Sequence, residues 1–272
     1  MTRRRAGKGA APGQEGRTSE MSAPSVGIFG LTGCAGDQLV ILNCEDQLLD
    51  ILRALEVKDF SMASSANDTE SALDIAFVEG AVLSKRDEET LRRIRERAGL
   101  LVAIGTCAVW GGIAAMDRGM DREGLLRDVY GEAGLEFDTM AAKALHEVVD
   151  VDLKITGCPI EADELIAGIA GLLNGNRPLT VTTPVCAECK MQEHSCLLVE
   201  SSLPCLGPLT VGGCGARCPG LGIPCVACRG PCMDANVESA LATYEEKGIA
   251  RGQLERKLAT FAPWRSVATH ES

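Results

Sequence analysis

The sequence predicts an α/β protein in which an open parallel sheet is followed by a cysteine-rich, mostly irregular segment. Up to about residue 160, short apolar runs alternate with amphipathic stretches, the pattern of strands joined by crossover helices. The cysteines are unevenly spread: nine of the 13 lie in 186–232, and Cys34, Cys44, Cys107 and Cys158 precede it. We therefore expect two units, a sheet and a cysteine-rich region.

Each element follows from its local pattern. Apolar runs predict strands at 27–32, 59–65, 74–80, 100–108 and 152–159. Apolar residues at helical spacing predict a helix at 37–55, and the charged segment 86–99 predicts another that is closed by Gly99. After the cysteines, 236–272 again has helical periodicity, with a break near Gly248.

Composition and charge exclude several classes of function. The net charge of −11 argues against a nucleic-acid partner, because phosphate binding requires a basic face and the basic cluster is confined to 3–8. No segment has the roughly 18 uncharged apolar residues of a transmembrane helix. The arginines at 3–5 suggest a twin-arginine export signal, but the following segment lacks the apolar stretch that such a signal needs. We expect a disordered basic tail at 1–22 and a cytoplasmic protein, attached to a membrane only through a partner.

Three cysteines follow predicted strands, where open parallel sheets place their functional groups. Cys34, Cys107 and Cys158 stand in GC, GTC and GCP contexts, and Asp37 is three residues after Cys34. Three thiolates and one carboxylate fit an iron–sulfur cluster. The alternative is that these are ordinary buried cysteines, the interpretation that we keep for Cys44.

The cysteine-rich segment contains two C-x2-C pairs among closely spaced cysteines, which suit either zinc or iron–sulfur clusters. Its nine cysteines are Cys186, Cys189, Cys196, Cys205, Cys214, Cys218, Cys225, Cys228 and Cys232. Iron is favoured because Cys218–Pro219 is typical of ferredoxins, histidines are scarce and nine cysteines exceed two zinc sites. The alternative is a zinc-stabilised, non-redox scaffold protein.

Several of these motifs, taken in order, resemble the small, electron-transferring subunit of [NiFe] hydrogenases, particularly the soluble methyl-viologen-reducing and sulfhydrogenase delta types. The matching segments are LTGCAGD, AIGTCAVWGG, TGCPI, CLGPLTVGGCGARCP and PCVACRGP. The resemblance implies a flavodoxin-like domain at 23–178 with a proximal cluster, an iron–sulfur domain at 179–235 with medial and distal clusters, and a C-terminal helical extension at 236–272. The related 20 kDa subunit of respiratory complex I is set aside, because its adjacent Cys-Cys pair is absent.

The resemblance also assigns the ligands of three iron–sulfur clusters. The proximal set is Cys34, Cys107 and Cys158 with Asp37; the medial set is Cys214, Cys218, Cys225 and Cys228; the distal set is Cys186, Cys189, Cys196 and Cys205. Asp37 replaces the second cysteine of the family's CxxC pair, and because a carboxylate is a hard ligand we favour a [3Fe-4S] proximal cluster over a [4Fe-4S] cluster bound by Asp37. Asp37 could instead cap a helix that begins at Gln38. Cys232 has no counterpart in the family.

The function implied is electron transfer. A partner large subunit would oxidise H2 at nickel–iron, and this chain, which has no nickel–iron site and no catalytic residue of its own, would carry the electrons to an acceptor. A quinone, a flavoprotein or a ferredoxin are the candidate acceptors.

Overall fold

The computed structural model describes residues 23–44, 53–117, 119–176 and 181–261. Its centre is a five-stranded sheet in the order β2-β1-β3-β4-β5, in which every neighbouring pair is parallel. This is the strand order of flavodoxin-like folds. The predicted α/β fold class is therefore confirmed.

The strands are β1 Ser25–Gly30, β2 Glu56–Asp59, β3 Leu73–Glu79, β4 Ala98–Ile104 and β5 Leu153–Ile155. The helices are α1 Gly36–Leu42, α2 Lys85–Arg97, α3 Gly105–Trp110, α4 Arg122–Tyr130, α5 Ala162–Leu173, α6 Val185–Met191, α7 Leu197–Ser201, α8 Arg217–Gly220, α9 Val237–Glu246 and α10 Arg251–Ala259. Short 3-10 helices lie at Gly112–Ala115, Gly131–Glu136 and Leu145–Glu147.

The central strand β3 is apolar on both faces because helices cover both sides of the sheet. Ile75 and Phe77 pack into one apolar cluster with residues of β1, α1 and α5. Ala76 and Val78 point the other way, into a second cluster with residues of α2. The sheet is thereby anchored on both faces, and the loops at its carboxyl edge are held in place.

The strand predicted at 27–32 is observed at Ser25–Gly30, and the strand predicted at 152–159 ends at Ile155. Four other predictions differ from the structure for local reasons. The helix predicted at 37–55 is not continuous: α1 ends at Leu42, 45–52 lies outside the described residues, and residues 53–54 are again helical. The strand predicted at 59–65 ends at Asp59, because the N–H groups of residues 63 and 64 turn back to the carbonyl of Phe60. The helix predicted at 86–99 ends at Arg97, since the next residue is extended and begins β4. The strand predicted at 100–108 ends at Ile104, so that Cys107 lies on a helix.

The cysteine-rich part has little regular structure apart from α6, α7 and α8. Helices α9 and α10 pack their apolar residues, including Leu241 and Leu254, against Cys205 and Cys225 in one cluster. The break near Gly248 is present, with φ of +78° at that residue. The domain division stays a prediction, and the tail 1–22 lies outside the described residues. In the described ranges, no helix has the length and apolar character needed to span a bilayer.

Candidate iron–sulfur sites

The proximal site lies at the carboxyl edge of the sheet. Cys34 follows β1, Cys107 is in the first turn of α3 after β4, and Cys158 follows β5. Partial burial, together with the charges of Cys107, Cys228, Asp37 and Cys34, raises the pKa of Cys158 to about 11. The three predicted thiols therefore share one site with the carboxylate. Cys34 and Cys158 are also exposed to solvent, so the site opens at the surface.

Asp37 is buried in this site rather than used as a helix cap. Its Oδ1 accepts a hydrogen bond from the Ile160 N–H at 2.8 Å. Burial raises its pKa to about 6, the Ile160 bond opposes that rise, and the charge of Glu79 adds to it. The N–H of Gln38 donates to Glu79, not to Asp37. The capping interpretation is therefore wrong. A Cβ at Gly105 would lie 1.8 Å from Asp37 Oδ2, so only glycine fits beside this carboxylate.

Glu79 is a site residue that the sequence analysis did not single out. It ends the central strand β3, is 2% exposed, and its Oε2 lies 3.0 Å from the Gln38 nitrogen at the start of α1. A carboxylate directly after the buried apolar run 75–78 was the available signal, because carboxylates are seldom buried without a partner.

The distal site is formed by one short helix and the loops that follow it. Cys186 and Cys189 lie on α6, Cys196 precedes α7, and Cys205 lies beyond it. Burial raises the pKa of Cys186 to about 12, with further contributions from the charges of Cys205, Cys189 and Cys196. All four line a cavity of about 40 Å³. A Cβ at Gly207 would lie 3.3 Å from the Cys186 sulfur, so a side chain there would crowd the group.

The medial site is less compact. Burial raises the pKa of Cys228, and the charges of Cys214 and Cys218 raise it further, so these three lie close together. Cys225 lies toward the distal site: its N–H donates to the Cys205 sulfur at 3.3 Å.

The three groups form a continuous series, which sequence spacing did not predict. Cys228, assigned to the medial set, also contacts the proximal site: the Thr106 hydroxyl donates to its carbonyl, and the Cys158 N–H donates to its sulfur. Cys225 and Cys205 make the corresponding contact between the medial and distal sets. Adjoining cysteines therefore link each group to the next.

Two cysteines remain apart from these groups. Cys44 is buried as predicted, with its sulfur 3.2 Å from the Val40 carbonyl oxygen. Cys232 is also buried, and its N–H donates to the Leu209 carbonyl. In the part of the chain that is described, no three Cys, His, Asp or Glu side chains meet the geometry of a single-ion site.

Comparison with known proteins identifies the family. Residues 34–172 match the family model described as "NADH ubiquinone oxidoreductase, 20 Kd subunit". Sulfhydrogenase 2 subunit delta of Pyrococcus furiosus is 38% identical over 239 residues, which are 88% of this chain and 99% of that subunit. The chain belongs to that family, among its hydrogenase small subunits.

Two further comparisons agree with this assignment. A subunit of the F420-non-reducing hydrogenase vhu of Methanocaldococcus jannaschii is 30% identical over 260 residues, covering 84% of this hydrogenase small subunit and 90% of its relative. A solved structure titled NAD+-reducing [NiFe]-hydrogenase in the H2-reduced state aligns with a TM-score of 0.51 and 27% identity, covering 57% of this chain and 94% of that one. The chain is thus an oxidoreductase subunit, and the zinc-scaffold alternative is set aside.

Proposed function

We propose that this subunit carries electrons, one at a time, from a [NiFe] hydrogenase large subunit through three iron–sulfur clusters to an acceptor. The observation that carries this proposal is the continuous series of cysteine groups, joined by Cys228 and by the contact of Cys225 with Cys205. The clusters, when bound, supply the one-electron chemistry.

The residues present fit such clusters in number, type and space. The proposed donors are Cys34, Asp37, Cys107 and Cys158 at the proximal site; Cys214, Cys218, Cys225 and Cys228 at the medial site; and Cys186, Cys189, Cys196 and Cys205 at the distal site. Glycines adjoin the sulfurs: a Cβ at Gly36 would lie 3.2 Å from the Cys34 sulfur, and one at Gly112 would lie 2.7 Å from the Cys107 sulfur. Burial raises the pKa of most of these thiols, and binding of iron would release their protons.

The chain's own groups would orient the ligands and adjust their electronic environment. The N–H groups of Ile113 and Ala114 point at the Cys107 sulfur, and the N–H group of Arg217 points at the Cys214 sulfur. Hydrogen bonds to sulfur stabilise added negative charge, which favours the reduced state.

The two ends of the series would face different partners. Cys34 and Cys158 are exposed at the proximal end, where the large subunit would dock, and Cys196 is exposed at the distal end, where electrons would leave. Among a quinone, a flavoprotein and a ferredoxin, we favour the flavoprotein. A structural neighbour is NAD+-reducing. Hydride transfer needs two electrons together, which a flavin can collect from a one-electron chain.

We propose Asp37 as the fourth proximal donor, which supports a [4Fe-4S] cluster. The carboxylate lies among the proximal thiols and is fixed through Ile160. The [3Fe-4S] prediction remains untested, and electron paramagnetic resonance distinguishes the two. A three-iron proximal cluster gives a signal in the oxidised complex that Asp37→Cys abolishes, whereas a four-iron cluster bound by Asp37 gives none.

Measuring the iron and acid-labile sulfide content of the purified complex tests the proposal as a whole. Three clusters require about twelve iron and twelve sulfide per small subunit if all are of the four-iron type, in addition to the large subunit's iron. A complex with zinc and no sulfide would refute the proposal.

A further inference from the structure

Arg229 is a buried cation beside the proposed medial site. It directly follows Cys228 and its side chain is 2% exposed. Its Nε donates to the Gly212 carbonyl at 2.7 Å, and its Nη2 pairs with Glu164 Oε2 at 2.7 Å. Arginine is seldom buried to this extent without several partners, because its charge loses hydration.

The third nitrogen of this guanidinium lacks a partner. Among the described residues, Nη1 is one of the few buried side-chain atoms without a hydrogen bond. The guanidinium also lies against Gly213, where a Cβ would be 2.5 Å from Nη2, and Gly213 precedes Cys214. Arg229 is thus adjacent to Cys228 in sequence and to Cys214 in space. A sulfur atom of a medial cluster could accept the hydrogen bond that Nη1 lacks.

We propose that Arg229 is a positioning residue that raises the reduction potential of the medial cluster. This inference rests on the proposed function, since it requires a cluster on Cys214 and Cys228. Reduction adds one electron, so a nearby cation and an N–H donor stabilise the reduced state more than the oxidised state. One electron arrives from the proximal site and one leaves toward the distal site, and Arg229 neither gains nor loses a proton.

The same electrostatic effect already acts on the thiols. Burial raises the pKa of Cys214 and of Cys228, and in each case the charge of Arg229 opposes the rise. The carboxylate of Glu188, which accepts the N–H groups of Gly213 and Ala216, acts on Cys214 in the opposite direction. The medial loop is therefore held between a buried cation and a carboxylate.

Glu164 offers a test of sign. It lies in the first turn of α5 and is the ion-pair partner of Arg229. Arg229→Gln removes the positive charge and should lower the medial potential. Glu164→Gln removes the negative charge while keeping an oxygen acceptor for Nη2, and should raise the potential. A purely structural contact between α5 and the medial loop would instead move the potential in the same direction in both variants.

The experiment is a potentiometric titration of the assembled hydrogenase complex, followed by electron paramagnetic resonance. We expect Arg229→Gln to shift the one-electron equilibrium of the medial cluster at least tenfold toward oxidation, or about 59 mV. Glu164→Gln should shift it toward reduction. Arg217→Gln is the matched control, because it removes a cation next to Cys218 but keeps the main-chain N–H near the Cys214 sulfur. The Arg217 side chain pairs with Glu161 at 2.6 Å but is 66% exposed and screened by solvent, so no shift is expected.

Each outcome decides the inference. A wild-type complex without a medial signal refutes the proposed function and this inference with it. A medial signal whose potential stays fixed in both variants, or moves in the same direction in both, refutes the role of Arg229 alone. If Arg229→Gln does not assemble, Glu164→Gln decides by itself: a positive shift supports the inference, and an unchanged potential refutes it.

Discussion

Replacing Tyr244 with phenylalanine tests how the C-terminal helices support the distal site. Tyr244 is fully buried on α9, and its hydroxyl donates to the main-chain carbonyl of Cys205, a proposed distal ligand. Phenylalanine keeps the packing of the ring but leaves that carbonyl without this donor. Losing one partner of a buried hydrogen bond costs about 1–2 kcal/mol. For a domain of this size, the melting temperature should fall by about 2–8 °C.

The chain's other tyrosine provides a matched control. Tyr130 is 58% exposed on α4, so Tyr130→Phe should leave the melting temperature unchanged. Both variants are compared with the wild-type complex at one heating rate, because cluster-containing assemblies often unfold irreversibly. The distal cluster signal is followed in the same samples and should disappear at a lower temperature in Tyr244→Phe. Equal melting temperatures for the two variants would show that the Tyr244 hydroxyl does not support Cys205.

Three further predictions follow. Cys189→Ser should abolish reduction of an external acceptor while hydrogen–deuterium exchange at the large subunit continues; loss of both activities would indicate collapse of the fold. Cys228→Ser would be a less specific test of electron delivery, because Cys228 also contacts the proximal site. Thr106→Val removes the donor to the Cys228 carbonyl and should lower stability by about 1–3 kcal/mol in thermal denaturation; an unchanged transition would contradict this. The folded pKa of Asp37 is raised, so in the metal-free chain its ionisation destabilises the fold progressively as pH rises from about 4 to 6. Asp37→Asn should therefore add up to about 3 kcal/mol of unfolding free energy above pH 6 and nothing below pH 4, measured by urea denaturation; a pH-independent difference would contradict the assignment.

Local sequence patterns were sufficient for the fold class and for most of the strands. The segment 74–80 predicted β3 to within one residue, because the middle of a strand that is buried on both faces is a continuous apolar run. The start of α2 likewise follows from its own residues: the side chain of Ser84 accepts the N–H of Asp87, and Asp87 accepts the N–H of Ser84 in return. Boundaries that depend on a turn were missed, as at Phe60 and Gly105, because no periodicity marks where a chain reverses direction.

The sequence by itself determined which side chains could bind iron, since thiolates at short spacing are a local property that survives unfolding. It also located Cys34, Cys107 and Cys158 at strand ends, from which their convergence follows by the topology of a parallel sheet. Only the tertiary structure decided which residues each proposed cluster ligand contacts. Asp37 binds the N–H of Ile160, which is 123 residues away, and Cys228 reaches the proximal site through Thr106, which is 122 residues away. Contacts over such separations depend on how the cysteine-rich part packs on the sheet, and that packing leaves no periodic signal in the chain.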